Sequence, residues 1–387
     1  MNDAGSWPPI SGHRVVLVLQ GGGALGAYQA GVYQGLHEAG VEPDWVVGTS
    51  IGAINGALIV GNEPAVRTKK LMEFWNRIGG QRLIDEPWPF TAVTSGFASF
   101  ETLVRGVPGF FEVNPLAALG LRTPIGVNRA AFYTTEPLKA TLAELVDFEY
   151  MRARHTRLTV GAVNVCSGQM QYFDSRHMAI EAAHVMASGA LPPGFPAVDV
   201  DGQPYWDGGI YSNTPVEVVL DDNPRHDSLI FAVNVWHAHG AAPESIWQVL
   251  GRQKNIQYAS RVLSHLARQE QIHRLRHIVK ELSALLPQAA REDPKVREMI
   301  AYGCNTTMHI VNLLAPHLEG DDYTKDIDFA ASRIEARWEA GYADVKRALA
   351  QRRWCRDLDP LVGVHVHDLA EEHAGEKLQT GTLKRSG

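Results

Sequence analysis

The sequence predicts an α/β fold built on buried parallel strands, and three observations point there. Helix-period segments alternate with short apolar runs such as Val15-Val16-Leu17-Val18-Leu19 and Trp45-Val46-Val47, the pattern of strands covered on both faces by crossover helices. Both runs lead directly into glycine-rich turns followed by small-residue helical segments. With 387 residues, 45% of them apolar, the chain can bury one large core or two modest ones without covalent staples.

Taken in order, residues 15–60 form two strand-turn-helix units, Val15–Leu19 into Gly21–Gly26 and Trp45–Val47 into Gly48–Gly52. From 74 to 133 the chain carries Phe74, Trp75, Trp88, Phe90, Phe97, Phe100, Phe110, Phe111 and Phe132 among prolines and glycines that break long periodicity. This aromatic segment suits either an acyl pocket with a lid or ordinary core. Strand-like runs return at Leu158–Val165, Leu229–Val235 and Thr307–Leu314, with a long helical stretch from about Ser245 to Leu286 before the last. Arg252, Lys254, Arg261, Arg268, Arg274, Arg276 and Lys280 on that stretch form either a solvated face or a contact with an anionic surface. A further helix is expected over 332–353, with Ser332 and Glu335 as a capping box. The division that follows is a core over 1–240, a helical insertion over 241–300, a strand and helix over 301–355 that rejoin the core, and a polar tail over 356–387.

Composition narrows the partners. Thirty-six Lys plus Arg against 43 Asp plus Glu give a formal charge of −7, which repels phosphate backbones and argues against nucleic acid. Cys166, Cys304 and Cys355 are odd in number and widely spaced, so neither a disulfide framework nor a cysteine zinc site is indicated, and a reducing cytoplasm is the expected location. No apolar run approaches the roughly 18 residues that span a bilayer, and the first fourteen residues lack a leader's basic-then-apolar order.

The chemistry concentrates in three short segments. Gly48-Thr49-Ser50-Ile51-Gly52 fits Gly-x-Ser-x-Gly directly after a strand and before a helix. There a sharp, strained turn exposes the serine hydroxyl, and the flanking glycines let strand and helix approach. Gly21-Gly22-Gly23-Ala24-Leu25-Gly26 also joins a strand to a helix, and its successive N–H groups can face one space, as an anion nest does. Asp207-Gly208-Gly209 supplies a carboxylate that can take the serine proton if its pocket raises its pKa.

In this order and spacing the three segments, with Ala187–Ala197 as a small-residue and proline stretch before the aspartate, resemble the patatin-like phospholipase family over roughly residues 14–215. The resemblance implies a three-layer α/β/α fold with a mainly parallel central sheet and a helical C-terminal insertion. It also implies a serine esterase that hydrolyses lipid acyl esters through an acyl-enzyme, without a cofactor or a metal. Ser50 would be the nucleophile and Asp207 its partner in a two-residue dyad. Gly22, Gly23 and Ala24 would donate N–H groups to the oxyanion, with Gly21, Gly26, Gly48, Gly52, Gly208 and Gly209 supporting the motifs. The implied partner is a lipid or other acyl ester, with peripheral contact at a membrane or lipid granule; oligomeric state is not legible. Leu25 stands where the family generally carries Arg or Lys, so a preference for uncharged esters is expected.

Four other readings compete. Gly21-x-Gly23-x-x-Gly26 matches the dinucleotide fingerprint, but Glu42 and Asp44 precede the second strand instead of ending it. An α/β-hydrolase triad would pair Ser50 and Asp207 with His237, His309 or His367, yet that fold places several strands before its nucleophile. A metallohydrolase would use His237 with His239, or His365 with His367 and Asp368, as ligands spaced two apart on a strand. A non-catalytic lipid- or granule-surface binding protein would need neither Ser50 nor Asp207.

Overall fold

A computed structural model of the chain describes residues 12–79, 105–153, 155–355, 359 and 361–369, with only the backbone for 260–266. Its frame is one mixed, mostly parallel sheet. The strands are β1 (Arg14–Leu19), β2 (Trp45–Gly48), β3 (Arg157–Asn164), β4 (Met170–Asp174), β5 (Val198–Val200), β6 (Gln203–Asp207), β7 (Ser228–Asn234), β8 (Met308–Leu314) and β9 (Val364–Asp368). They lie in the order β9-β8-β7-β1-β2-β3-β6-β5, with β4 pairing β3. From β9 to β3 all neighbours are parallel, whereas β4, β5 and β6 pair antiparallel.

Period-two alternation explains the layers. Val15, Leu17 and Leu19 of β1 enter one core, and Val16 and Val18 enter another on the opposite face. The larger core is covered by α1 (Ala27–Glu38), α2 (Ile51–Val60), α3 (Pro64–Gly79), α4 (Ala182–Ser188) and the last helix; the smaller one is covered by residues 216–220. The long helix α5 (Ile246–Leu285) starts at Ser245, whose hydroxyl accepts from the Gln248 N–H. The last helix, α6 (Ala331–Gln351), crosses α1 at glycines: a Cβ on Gly31 would stand 1.9 Å from the Trp338 carbonyl oxygen, and one on Gly341 would stand 2.0 Å from that of Tyr28. Only residues without side chains permit that approach.

Two expectations need correction. Residues 364–368, expected within a polar tail, form the sheet's edge strand β9 in parallel register with β8. Its His365 and His367 disguise it, because they pack on His309 of β8 instead of facing water. The capping box at Ser332 is absent: α6 begins one residue earlier, after Ala330, and no side chain caps it. Instead Asp328 accepts from the Ala330 N–H and from Arg333.

Of the aromatic segment, Phe110 and Phe111 pack with Phe74, Tyr133, Phe195 and Phe329 as buried core. Trp88, Phe90, Phe97 and Phe100 lie outside the described residues.

Strand order also sets the position of the site. Along β3, residues 157–160 pair β2 and residues 162–164 pair β6, while β4 occupies the opposite edge of both stretches. Hence β2 and β6 share one edge of β3 and run toward each other: β2 ends at Gly48 opposite Val160, and β6 ends at Asp207 opposite Ala162. The residues that follow Gly48 are thereby delivered to Asp207.

Candidate active site

Ser50 is the residue before α2 and holds φ 56° and ψ −124°, a left-handed backbone in a residue with a side chain. Such a conformation costs about 1–3 kcal/mol and persists only where its surroundings enforce it. Three contacts do so here. The Ser50 N–H donates to the Ser188 hydroxyl at 3.0 Å, and that hydroxyl donates to the Gly161 carbonyl at 2.7 Å. The Thr49 N–H donates to the Leu19 carbonyl at 3.2 Å. Gly48 and Gly52 close the turn, since a Cβ on either would lie within 2.3 Å of a backbone carbonyl oxygen.

Asp207 is 2% exposed. Burial pushes its carboxyl up to about 7, against the opposing pull of the Ser50 hydroxyl beside it and of the Gly209 N–H, which donates to it. The Gly209 bond is 2.7 Å. Gly208 packs on the same Gly161 carbonyl that anchors Ser188, where a Cβ would come to 2.4 Å. One backbone oxygen of β3 is therefore the common footing of the serine and the carboxylate.

The first glycine turn lies against this pair: a Cβ on Gly21 would stand 3.0 Å from Ser50 Cβ, and one on Gly26 would meet Ile51 at 2.5 Å. The Gly21 carbonyl accepts from Trp236 Nε1 at 2.8 Å and Asn213 Nδ2 at 3.0 Å, and the Gly22 carbonyl from the Leu25 N–H at 3.1 Å. In a trans peptide the N–H points opposite to its carbonyl, so the Gly22 and Gly23 N–H groups face away from these partners. Among the described residues neither has an acceptor. Ala24 departs from expectation: its N–H is committed to the Asp326 carbonyl at 2.8 Å and cannot serve an oxyanion in this arrangement. Leu25 is 4% exposed and packed in the larger core, so an arginine there would bury its charge instead of offering it to a substrate.

The histidines lie elsewhere. His309 and His367 hydrogen-bond each other near the strand ends opposite Ser50, since His309 is level with Leu229 and hence with Val15 at the start of β1. Burial pushes His309 down to about 4. His237 bonds the Ala315 carbonyl at 2.8 Å and stacks on His317, and burial likewise pushes it down to about 4. Among the described residues, no group of three or more His, Cys, Asp or Glu is arranged to hold a metal.

Motif reading missed Ser188, Asn213, Trp236 and Asp326. Ser188 and Asn213 had a usable signal, being polar residues inside small or glycine-rich segments that a core must satisfy. Gln20, Gln29 and Asn55, all at most 1% exposed, carry the same signal; Gln20 Oε1 accepts from the N–H groups of Val235 and Trp236, and Asn55 links Gly26, Gln29 and Trp75.

This strand order, with a serine on a strand-to-helix turn beside a buried carboxylate, defines an α/β/α protein of the serine-elbow kind. The chain belongs to the patatin-like phospholipase family, whose model matches residues 17–220, a span that includes all three segments. A second model, described as patatin phospholipase, matches residues 256–361. Patatin-like phospholipase domain-containing protein 6 of Homo sapiens is 40% identical over 99 residues, 25% of this chain and 7% of that protein. Lysophospholipase NTE1 of Candida glabrata is 38% identical over 253 residues, 63% of this chain and 12% of that protein. The chain thus spans a small fraction of the length of either relative. The crystal structure of VipD from Legionella pneumophila matches at 15% identity and a TM-score of 0.37, over 88% of this chain and 67% of that one; the fold assignment rests on the strand order and the family match instead.

Proposed function

We propose that the chain is a serine acyl hydrolase that cleaves lipid carboxylic esters through an acyl-enzyme on a Ser50–Asp207 dyad. The observation that carries this reading is a fully buried carboxyl, raised to about 7, that lies beside the hydroxyl of a serine in a left-handed turn. A base poised near neutrality both takes and returns a proton readily. Ser50 Oγ attacks the ester carbonyl as Asp207 takes its proton, and the Gly22 and Gly23 N–H groups receive the charge that develops on the carbonyl oxygen. Collapse of the tetrahedral species expels the alcohol, protonated by Asp207, and leaves Ser50 acylated. Water, deprotonated by Asp207, then attacks the acyl-enzyme, and collapse of the second tetrahedral species releases the acid as Asp207 returns the proton to Ser50 Oγ.

No helix among the described residues is long and apolar enough to cross a membrane. Lipid would be met at a surface, and Ile246, Trp247, Val249 and Leu250, all exposed at the start of α5, suit such contact. Arg252 is not part of it, since its guanidinium donates to the His237 and Ala238 carbonyls.

The test is ester and lipid profiling of purified protein beside a Ser50→Ala control. Release of fatty acid from phospholipid, lysophospholipid or acylglycerol by the wild type alone is expected. Equal release by both proteins, or by neither, contradicts the reading. Vesicle co-sedimentation of Trp247→Ala against wild type tests the surface contact, which fails if the two bind alike.

A further inference from the structure

Gly23 takes a left-handed φ of 55° with the Asp326 carbonyl oxygen directly against it: a Cβ there would lie 2.2 Å from that oxygen. The same oxygen accepts the Ala24 N–H at 2.8 Å. The turn that carries the two unengaged donors is therefore moulded on a single carbonyl, from a segment with no regular secondary structure around residues 321–328.

That segment is held by the long helix. Lys254 Nζ donates to both carboxylate oxygens of Asp326, at 2.7 and 2.9 Å, and to the Tyr323 carbonyl at 3.0 Å. One residue on, Asn255 Oδ1 accepts from Lys325 Nζ at 3.0 Å. From the other side Arg337 of α6, 4% exposed, donates to the carbonyls of Lys325 and Asp328. One turn further along α5, the Tyr258 carbonyl accepts from Gln20 and Asn213, and its ring packs on Trp236, which bonds the Gly21 carbonyl. A single stretch of α5, residues 254–258, thus grips the glycine turn at both ends, through Asp326 at Gly23-Ala24 and through Trp236 and Asn213 at Gly21.

We propose that Lys254 and Asp326 are positioning residues, forming a latch by which the long helix holds the oxyanion turn in its donating conformation. The proposal rests on the serine-hydrolase reading above and deepens it, giving Asp326, which lies within the region matched by the second family model, a part in shaping the oxyanion turn. Neither residue touches the reacting atoms. Both act through the peptide of Gly23 and Ala24, so their loss weakens stabilisation of the tetrahedral species while leaving ground-state binding of the ester alone.

The experiment compares Lys254→Met, Lys254→Arg, Asp326→Asn and the Met/Asn double variant with wild type in the full chain. kcat and KM are measured for one soluble ester, and Ki for a trifluoromethyl ketone, which forms a tetrahedral adduct on serine. For Lys254→Met, kcat is expected to fall by about three- to thirtyfold with KM little changed, the scale of coupled-network mutations. The ketone Ki should rise by the same factor, Lys254→Arg should recover most of the loss, and the double variant should be no worse than either single change. If Lys254→Met fails to fold, Asp326→Asn, which preserves shape, carries the same test. Unchanged kcat and Ki, or a loss confined to KM, overturns the latch. Ser50→Ala, run alongside, separates the two readings: Ser50-dependent hydrolysis with a silent Lys254→Met removes the latch alone, and absence of Ser50-dependent hydrolysis removes the dyad beneath it.

Discussion

The molecule contains two strand-to-helix turns that look alike as strings of letters and are built for opposite ends. In the turn at Gly48–Gly52 the N–H groups of Thr49, Ser50 and Gly52 are all engaged, and the backbone is clasped so tightly that a left-handed serine is held in place. In the turn at Gly21–Gly26 the carbonyls are the pinned groups, and two successive N–H groups are left without acceptors among the described residues. One turn presents a side chain by bracing its backbone at every N–H but that of Ile51; the other presents its backbone by leaving two successive N–H groups unsatisfied. Glycine serves close packing in both turns, and in the second it also leaves donors exposed.

The largest effects should come from the pair that the braced turn brings together. Ser50→Ala and Asp207→Asn should each lower kcat by about 10⁴-fold or more, and the double variant should be little worse than either, as members of one catalytic unit fail together. Additive losses would break the pairing. Breaking the open turn should cost less. Gly23→Ala drives a methyl into the Asp326 carbonyl and should lower kcat by roughly a hundred- to a thousandfold with a modest change in KM, the scale of a lost oxyanion donor. A loss in KM alone would mean that the turn binds substrate and not the transition state.

The raised carboxyl sharpens the comparison through pH. Since Asp207 must be ionised to act as base, kcat/KM should climb about tenfold per unit below pH about 7 and level off above it. Stability should run the other way. Below about pH 4 folded and unfolded chains both hold this carboxyl neutral; between about 4 and 7 only the unfolded chain ionises it, and folding stability is lost across that window. Asp207→Asn should therefore match wild type in Tm near pH 4 and exceed it at pH 8. A constant difference across that range would place the titration on another group.

How much of this was legible follows from how local each feature is. The strand runs near 15–19, 45–47, 158–165, 229–235 and 307–314, the long helix and the family that the three motifs point to are contiguous patterns, and they read correctly; the short antiparallel strands β4, β5 and β6 were not anticipated. The edge strand Val364–Asp368 was missed as well, because its polar histidines are satisfied by His309, a partner in another strand. Ala24 looked equivalent to Gly22 and Gly23, and only the distant Asp326 carbonyl makes it different. Leu25 looked like a missing cation, and packing makes it core. Ser188, which holds the Ser50 N–H, sits 138 residues from it. Which backbone groups are free is decided by tertiary partners that a motif does not contain.

The smallest effects belong to the histidines. Alanine at His237, His239, His309, His365 or His367 should leave kcat within a few-fold of wild type, and a chelator should leave it unchanged, since the groups that act on Asp207 are the Ser50 hydroxyl and the Gly209 N–H and no histidine is among them. A loss of several thousandfold at any of them would call for a triad.

The central claim is that the braced turn makes Ser50 a nucleophile, and peptide mapping after reaction with a fluorophosphonate tests it most directly. The account predicts a single stoichiometric phosphonyl adduct on Ser50, formed faster as pH rises through about 7 and abolished in Asp207→Asn. An adduct on a different serine, or labelling of Ser50 at an undiminished rate in Asp207→Asn, would contradict it.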